Sequence, residues 1–158
     1  MKLLVLDLDG TLWDHEDASC LSPPYTFHGD HLIDARGEEL HLFPGVRKFI
    51  EWASKRFVLS IASWNAEEKV RPILEGFDLW DYFRYPKIEN HPNKGDMIAR
   101  TLRELELSGY NVGEAIYVDD RDVHIEDVKA TASSIHFVHM WVDVKSFEEL
   151  RELLEGLR

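Results

Sequence analysis

The stretch Leu3-Leu4-Val5-Leu6-Asp7-Leu8-Asp9-Gly10-Thr11 constrains this chain more than any other. Five apolar residues between Leu3 and Leu8 are interrupted only by Asp7. A run with so little polar alternation is the pattern of a strand covered on both faces, and such strands belong to parallel sheets. Two carboxylates two positions apart and a glycine follow at its C-terminal end. Strand periodicity puts Asp7 and Asp9 on one side while the strand stays regular, and Gly10 lets the backbone turn away. The C-terminal edge of a parallel sheet is where open α/β folds place their ligands. Two ionised carboxylates ~4 Å apart repel by roughly 4 kcal/mol at an effective dielectric near 20. The natural compensation is Mg²⁺, a cation that prefers oxygen ligands. An Asp-Gly surface turn is the plain alternative, and the apolar run before it argues against that.

The remaining chain repeats strand and helix. Phe57–Ala62 reads as a second buried strand, Arg84–Ile88 as a short third, Glu114–Asp120 as a fourth ending in acids, and Ser134–Val138 as the last. Between them, Pro44 suits the first position of a helix carrying Val46, Phe49, Ile50 and Ala53 at helical spacing. Asn65 and Glu68 have the spacing of a capping box for a helix with Val70, Ile73, Leu74 and Phe77. Lys94-Gly95 leads into a helix with Met97, Ile98, Leu102 and Leu105 on one face, ended by Gly109 and Asn111. A short helix from about Asp122 carries Ile125, Val128 and Ala132, and a final one carries Phe147, Leu150, Leu154 and Leu157. This alternation predicts an α/β fold with a doubly wound, mainly parallel sheet, Rossmann-like in plan, in one domain over residues 1–158.

Residues 13–43 stand outside the alternation. They are polar at first, then hold strand-like runs near Tyr25–Ile33 and Glu38–Phe43 around a turn at Asp34-Ala35-Arg36-Gly37. That predicts a small β-hairpin flap by the edge of the first strand. Four of the eight histidines, His15, His28, His31 and His41, lie in it. Their spacing matches no compact zinc motif, so they are read as a solvated, substrate-facing set.

A net charge of −12, from 30 acidic and 18 basic residues, argues against nucleic acid and anionic membrane as partners. No apolar run reaches the length of a membrane span and no signal peptide is visible, so a cytoplasmic protein is expected. The single cysteine, Cys20, excludes an internal disulfide.

Asp7-Leu8-Asp9-Gly10-Thr11 resembles the DxDGT signature of the haloacid dehalogenase-like superfamily, most of whose members are phosphatases. In that superfamily the first Asp attacks phosphorus and the second serves as acid and base; true dehalogenases lack the second. Ile61-Ala62-Ser63 resembles its second motif, Lys94 its third, and Val118-Asp119-Asp120 its acidic fourth. The Trp13 that follows DGTL, the Pro23-Pro24 insert and Leu42-Phe43-Pro44-Gly45-Val46 narrow the likeness to the magnesium-dependent acid phosphatase family, which has no large cap domain.

The resemblance implies a Mg²⁺-dependent phosphatase that hydrolyses phosphomonoesters through an aspartyl-phosphate, acting on a small-molecule phosphoester or a phosphorylated protein side chain. It implies Asp7 as nucleophile and Asp9 as acid and base. Thr11, Ser63, Trp64, Asn65 and Lys94 would hold phosphate, and Asp7, Asp9 and Asp120 the metal, with Asp119 either a further ligand or a support behind the ligands. Trp64 departs from the Arg that eukaryotic relatives tend to carry beside the second-motif Ser. Two other readings stay open: a phosphotransferase or mutase on the same scaffold, which needs a lid against water, and a catalytically silent binding module.

Overall fold

A computed structural model describes residues 1–131 and 134–157. Its centre is a five-stranded parallel sheet of β1 (Leu3–Leu6), β5 (Val58–Trp64), β6 (Lys87–Glu89), β7 (Ala115–Asp119) and β8 (Ile135–His139), in the order β6-β5-β1-β7-β8. The apolar run that opens the chain therefore lies mid-sheet, with β5 on one side and β7 on the other. Alternate residues of β1 serve opposite faces, as a period of two requires. Leu4 and Leu6 join the core with α1 (Val46–Ser54), α2 (Glu67–Gly76) and α5 (Phe147–Leu157). Leu3 and Val5 join the other, with α3 (Lys94–Leu107) and α4 (Ile125–Thr131). Helices on both faces of a parallel sheet make the fold doubly wound. Among the described residues, no helix is long and apolar enough to cross a membrane.

The insert is a separate antiparallel sheet of β2 (Thr26–His28), β3 (His31–Ile33) and β4 (Glu39–His41). The first strand-like run is split in two by a turn at Gly29, whose φ of 61° is left-handed, so the expected hairpin has a third strand. Its inward residues are part of the protein's core: Leu32 and Leu40 are fully buried. Phe27 meets Phe77 edge to face at 5.0 Å. A Cβ on Gly76 would fall 2.0 Å from the Phe27 ring, so the close approach of α2 to the insert depends on that glycine.

Several local expectations need correction. Gly45, at φ 87°, caps α1, so Pro44 lies before the helix rather than at its first position. The capping box at Asn65 does not form: Ala66 is the N-cap of α2 without a side-chain bond, because the Asn65 amide is drawn into hydrogen bonds with Asp9 and Ser63. The third strand is Lys87–Glu89, shifted toward the C-terminus, and pairs with the last residues of β5. Lys94 is the first residue of α3 rather than its forerunner. α4 begins at Ile125, with Asp122 accepting the hydrogen bond of its first amide; Ala132 lies outside the described residues.

Candidate active site

Parallel pairing sets the chemistry-bearing residues side by side. Leu6 is level with Ile61 on β5 and Val118 on β7, so Asp7, Ala62-Ser63 and Asp119-Asp120 come side by side at the C-terminal edge of the sheet, where β1 has ended and β5 runs on to Trp64. One carboxylate oxygen from each of Asp7, Asp119 and Asp120 lies within 4.8 Å of the others. Gly10 leaves room for this: at φ 72°, a Cβ there would sit 2.4 Å from Asp120 Oδ2.

Lys94 enters the cluster from the start of α3. Its Nζ donates to Asp7 Oδ1 at 2.9 Å, to the Ala62 carbonyl at 2.9 Å and to the Tyr117 hydroxyl at 3.3 Å, and pairs with Asp119 Oδ2 at 3.5 Å. The Tyr117 hydroxyl donates in turn to Asp119. Burial alone would lower the Lys94 ammonium, but the carboxylates of Asp7 and Asp119 raise it, so it stays charged.

The acids divide by environment. Burial pushes Asp7 up, opposed by Lys94 and reinforced by Asp119. Burial also acts on Asp119, yet Lys94, the Tyr117 hydroxyl and the Arg121 N–H hold it below the usual carboxylate range. Asp120 is pushed up to about 6, by burial and then by neighbouring Asp119. Three carboxyl groups meeting one ammonium leave an excess of negative charge, and a donor set made only of carboxylate oxygens fits a hard divalent cation such as Mg²⁺.

Asp9 does not join this group. Its Oδ1 accepts from Trp13 Nε1 at 2.8 Å and Ala18 N at 3.1 Å, and its Oδ2 from Asn65 Nδ2 at 2.9 Å. Among the described residues its carboxylate is not grouped with the other three acids: two of its donors come from the insert and the third from Asn65, just past β5. Burial raises its pKa and those hydrogen bonds partly offset the rise.

Thr11 lies beneath the acids. It is fully buried, its N–H donates to the Leu8 carbonyl, and its hydroxyl accepts from Asp120 N and donates to Asp120 Oδ1. It braces Asp120 rather than facing the cleft.

A cleft of ≈ 780 Å³ opens over Asp7 and Asp9. Ser63, Asn65 and Lys94 lie in its floor, and Trp64, half exposed, stands at its wall. Ser63 Oγ accepts from Asn65 Nδ2 at 2.8 Å, which leaves its own proton free to donate. His15, Asp17, Arg121 and His124 complete the rim. Of the four insert histidines, His15 is at the cleft, whereas His28, His31 and His41 are not among the residues that line it.

Sequence reasoning passed over Tyr117, Ala18, Arg121 and His124. Tyr117 had a signal: on a strand, a residue two before Asp119 shares its side. Ala18 had none, since its contribution is a backbone N–H placed by the fold of the insert.

The chain is similar to known proteins along nearly its whole length. Human "Magnesium-dependent phosphatase 1" is 31% identical over 160 residues, covering 99% of this chain and 85% of the human protein. A haloacid dehalogenase-superfamily hydrolase from Ehrlichia chaffeensis superposes with a TM-score of 0.70 at 11% identity, over 99% of this chain and 98% of that one. The N-terminal part of a Bacteroides fragilis protein, described as containing a phosphatase domain and complexed with Mg, gives 0.62 at 19% identity, over 99% of this chain and 40% of that one. Residues 1–146 match the family described as Acid Phosphatase, and the chain belongs to that family.

Proposed function

We propose that this protein is a Mg²⁺-dependent phosphomonoesterase that works through an aspartyl-phosphate on Asp7. One observation carries the reading: Asp7 lies at the cleft floor between the Lys94 ammonium and two further acids, while Asp9, two residues on, is held apart by other donors. Two carboxyl groups in such different surroundings suit two different tasks.

Asp7, Asp119 and Asp120 are the residues that would hold Mg²⁺, whose chemistry is to offset charge on the transferring phosphoryl group. Lys94 fixes the Asp7 carboxylate at 2.9 Å and orients it for attack on phosphorus. All three of its N–H groups are engaged, and the 3.3 Å contact to Tyr117 is the longest of them and the one it releases most readily toward a phosphoryl oxygen. Ser63 donates its free hydroxyl proton to another. Asp9 protonates the departing ester oxygen and then takes a proton from the water that cleaves the acyl phosphate. Both of its oxygens accept hydrogen bonds at rest, so it lets go of Asn65 to do so.

The open cleft, with Trp64 at its wall, favours hydrolysis over transfer, since a transferase must keep water from the intermediate. It accepts a small phosphoester or a phosphorylated side chain of a protein. The test is phosphate release from p-nitrophenyl phosphate with Mg²⁺ and with EDTA, alongside product analysis with an added acceptor alcohol. No release with Mg²⁺ refutes the hydrolase reading, and phosphorylated acceptor as the main product makes the protein a transferase.

A further inference from the structure

The outer face of the antiparallel sheet carries a group of side chains that phosphoryl chemistry does not use. The strand register places His28 opposite His31 and His31 opposite His41, so three imidazoles stand in a row across β2, β3 and β4. The first pair has ring centroids 5.4 Å apart and the second 4.9 Å, with planes within 26° and 15° of parallel. Glu39 is two residues before His41 on β4 and so shares its face. Its Oε1 is 3.5 Å from His41 Nε2 and 3.9 Å from His31 Nε2. These side chains stay accessible, from about a third exposed at His31 to about half at Glu39 and His41.

We propose that His31, His41 and Glu39 form a second metal site, for a divalent transition ion of the zinc class. Imidazole nitrogens with a carboxylate suit Zn²⁺, Ni²⁺ or Cu²⁺, whereas the oxygen-only set in the cleft suits Mg²⁺. The backbone geometry is favourable. Two ligands alternate on one strand and the third projects from its neighbour, so all three Cβ atoms are fixed by the sheet. Ligand atoms about 2.1 Å from a tetrahedral zinc lie roughly 3.4 Å from one another. Glu39 Oε1 is already near that distance from both nitrogens.

The adjustment needed is in the rings. Stacked imidazoles present their faces to each other, and ligation turns their edges toward a common point. Among the described residues, only Asp7, Asp119 and Asp120 have three ligand atoms already within 4.8 Å of one another, so the histidine site binds less tightly than a preformed one. Bound metal would tie β3 to β4 and stiffen the insert without touching the cleft. His28 stacks on the side of His31 away from His41, so the remaining positions on the ion would be left to water.

The experiment uses untagged protein saturated with Mg²⁺, titrated with ZnCl₂ and followed by calorimetry, thermal unfolding and histidine imidazole NMR. The wild type should bind Zn²⁺ with a rise in Tm, and the His31 and His41 imidazole signals should shift. His31→Ala and His41→Ala should each weaken binding about tenfold or more. The double variant should lose the Tm rise while keeping its Mg²⁺-dependent phosphatase activity. His136→Ala, at an exposed histidine on β8, should behave as wild type. An unchanged Zn²⁺ isotherm in the double variant, or shifts confined to His15 and His124 at the cleft, would overturn the assignment and leave the three rings as a solvated stack.

Discussion

Lys94 Nζ lies 2.9 Å from Asp7 Oδ1, although 87 positions separate the two residues in the chain. The pair is buried, with side-chain exposures of 3% and 11%, and Asp119 stands 3.5 Å from the same ammonium. The amine thus neutralises part of an acidic cluster as well as orienting one acid of it. Breaking a buried ion pair from one side costs about 3–5 kcal/mol, because the partner charge is left unpaired.

Lys94→Met removes that charge and keeps much of the volume. Stability should fall by an amount of that order in EDTA. Mg²⁺ should restore more stability to the variant than it adds to the wild type, since the cation then carries the whole compensation. Thermal unfolding with and without Mg²⁺ measures this. An equal Mg²⁺ effect on both proteins would show that the ammonium and the metal do not share the same acids. Turnover should stay low even with Mg²⁺, because the hydrogen bond that holds Asp7 Oδ1 is gone.

Thr11→Val tests whether that residue serves the metal or the phosphate. Its hydroxyl holds the backbone and carboxylate of Asp120. Losing it should weaken Mg²⁺ about 10–100-fold, as for other groups that orient a ligand, and leave KM for substrate nearly unchanged at saturating Mg²⁺. A raised KM under saturating metal would instead place Thr11 in contact with phosphate.

Leu40→Ala addresses the insert. Leu40 is fully buried although it lies on a three-residue strand with two exposed neighbours. Its truncation should cost about 2–5 kcal/mol, seen as a lowered denaturation midpoint. A loss under 1 kcal/mol would mean that the insert is a loose flap whose packing adds little.

The sheet and its helices were legible in the sequence because two signals agreed there. Apolar runs marked strands, and 3.6-residue spacing marked the helices that cover them. The acids at strand ends were legible for the same reason: a carboxylate that closes a buried strand has few structural excuses. The insert was harder. Its strands are three residues long, too short for alternation to show where one ends, and the Gly29 turn sits inside an otherwise extended run. The contrast between Asp7 and Asp9 was legible as spacing but not as environment. Period-two reasoning put both side chains on one side, whereas the turn at Gly10 and the donors from Trp13, Ala18 and Asn65 take Asp9 elsewhere. A side chain that abandons a local role for a distant partner, as Asn65 does, leaves no trace in local pattern.

That separation gives the sharpest test of mechanism, since Asp7 and Asp9 are the same side chain and differ only in what surrounds them. Asp7→Asn should abolish turnover and covalent intermediate for every substrate, because an amide is a poor nucleophile. Asp9→Asn should act unevenly. An alkyl phosphate, whose alkoxide leaves poorly, needs the proton in the first step and should react hardly at all. An activated aryl phosphate leaves with little help, so its intermediate should form and then persist, because the attacking water lacks its base. Intact-mass measurement after an acid quench detects the added phosphoryl group. Finding it in the Asp9 variant supports the assigned roles, and finding it in the Asp7 variant reverses them. Its absence from both, together with failure of beryllofluoride to bind the wild type, would favour direct attack by water over an aspartyl-phosphate.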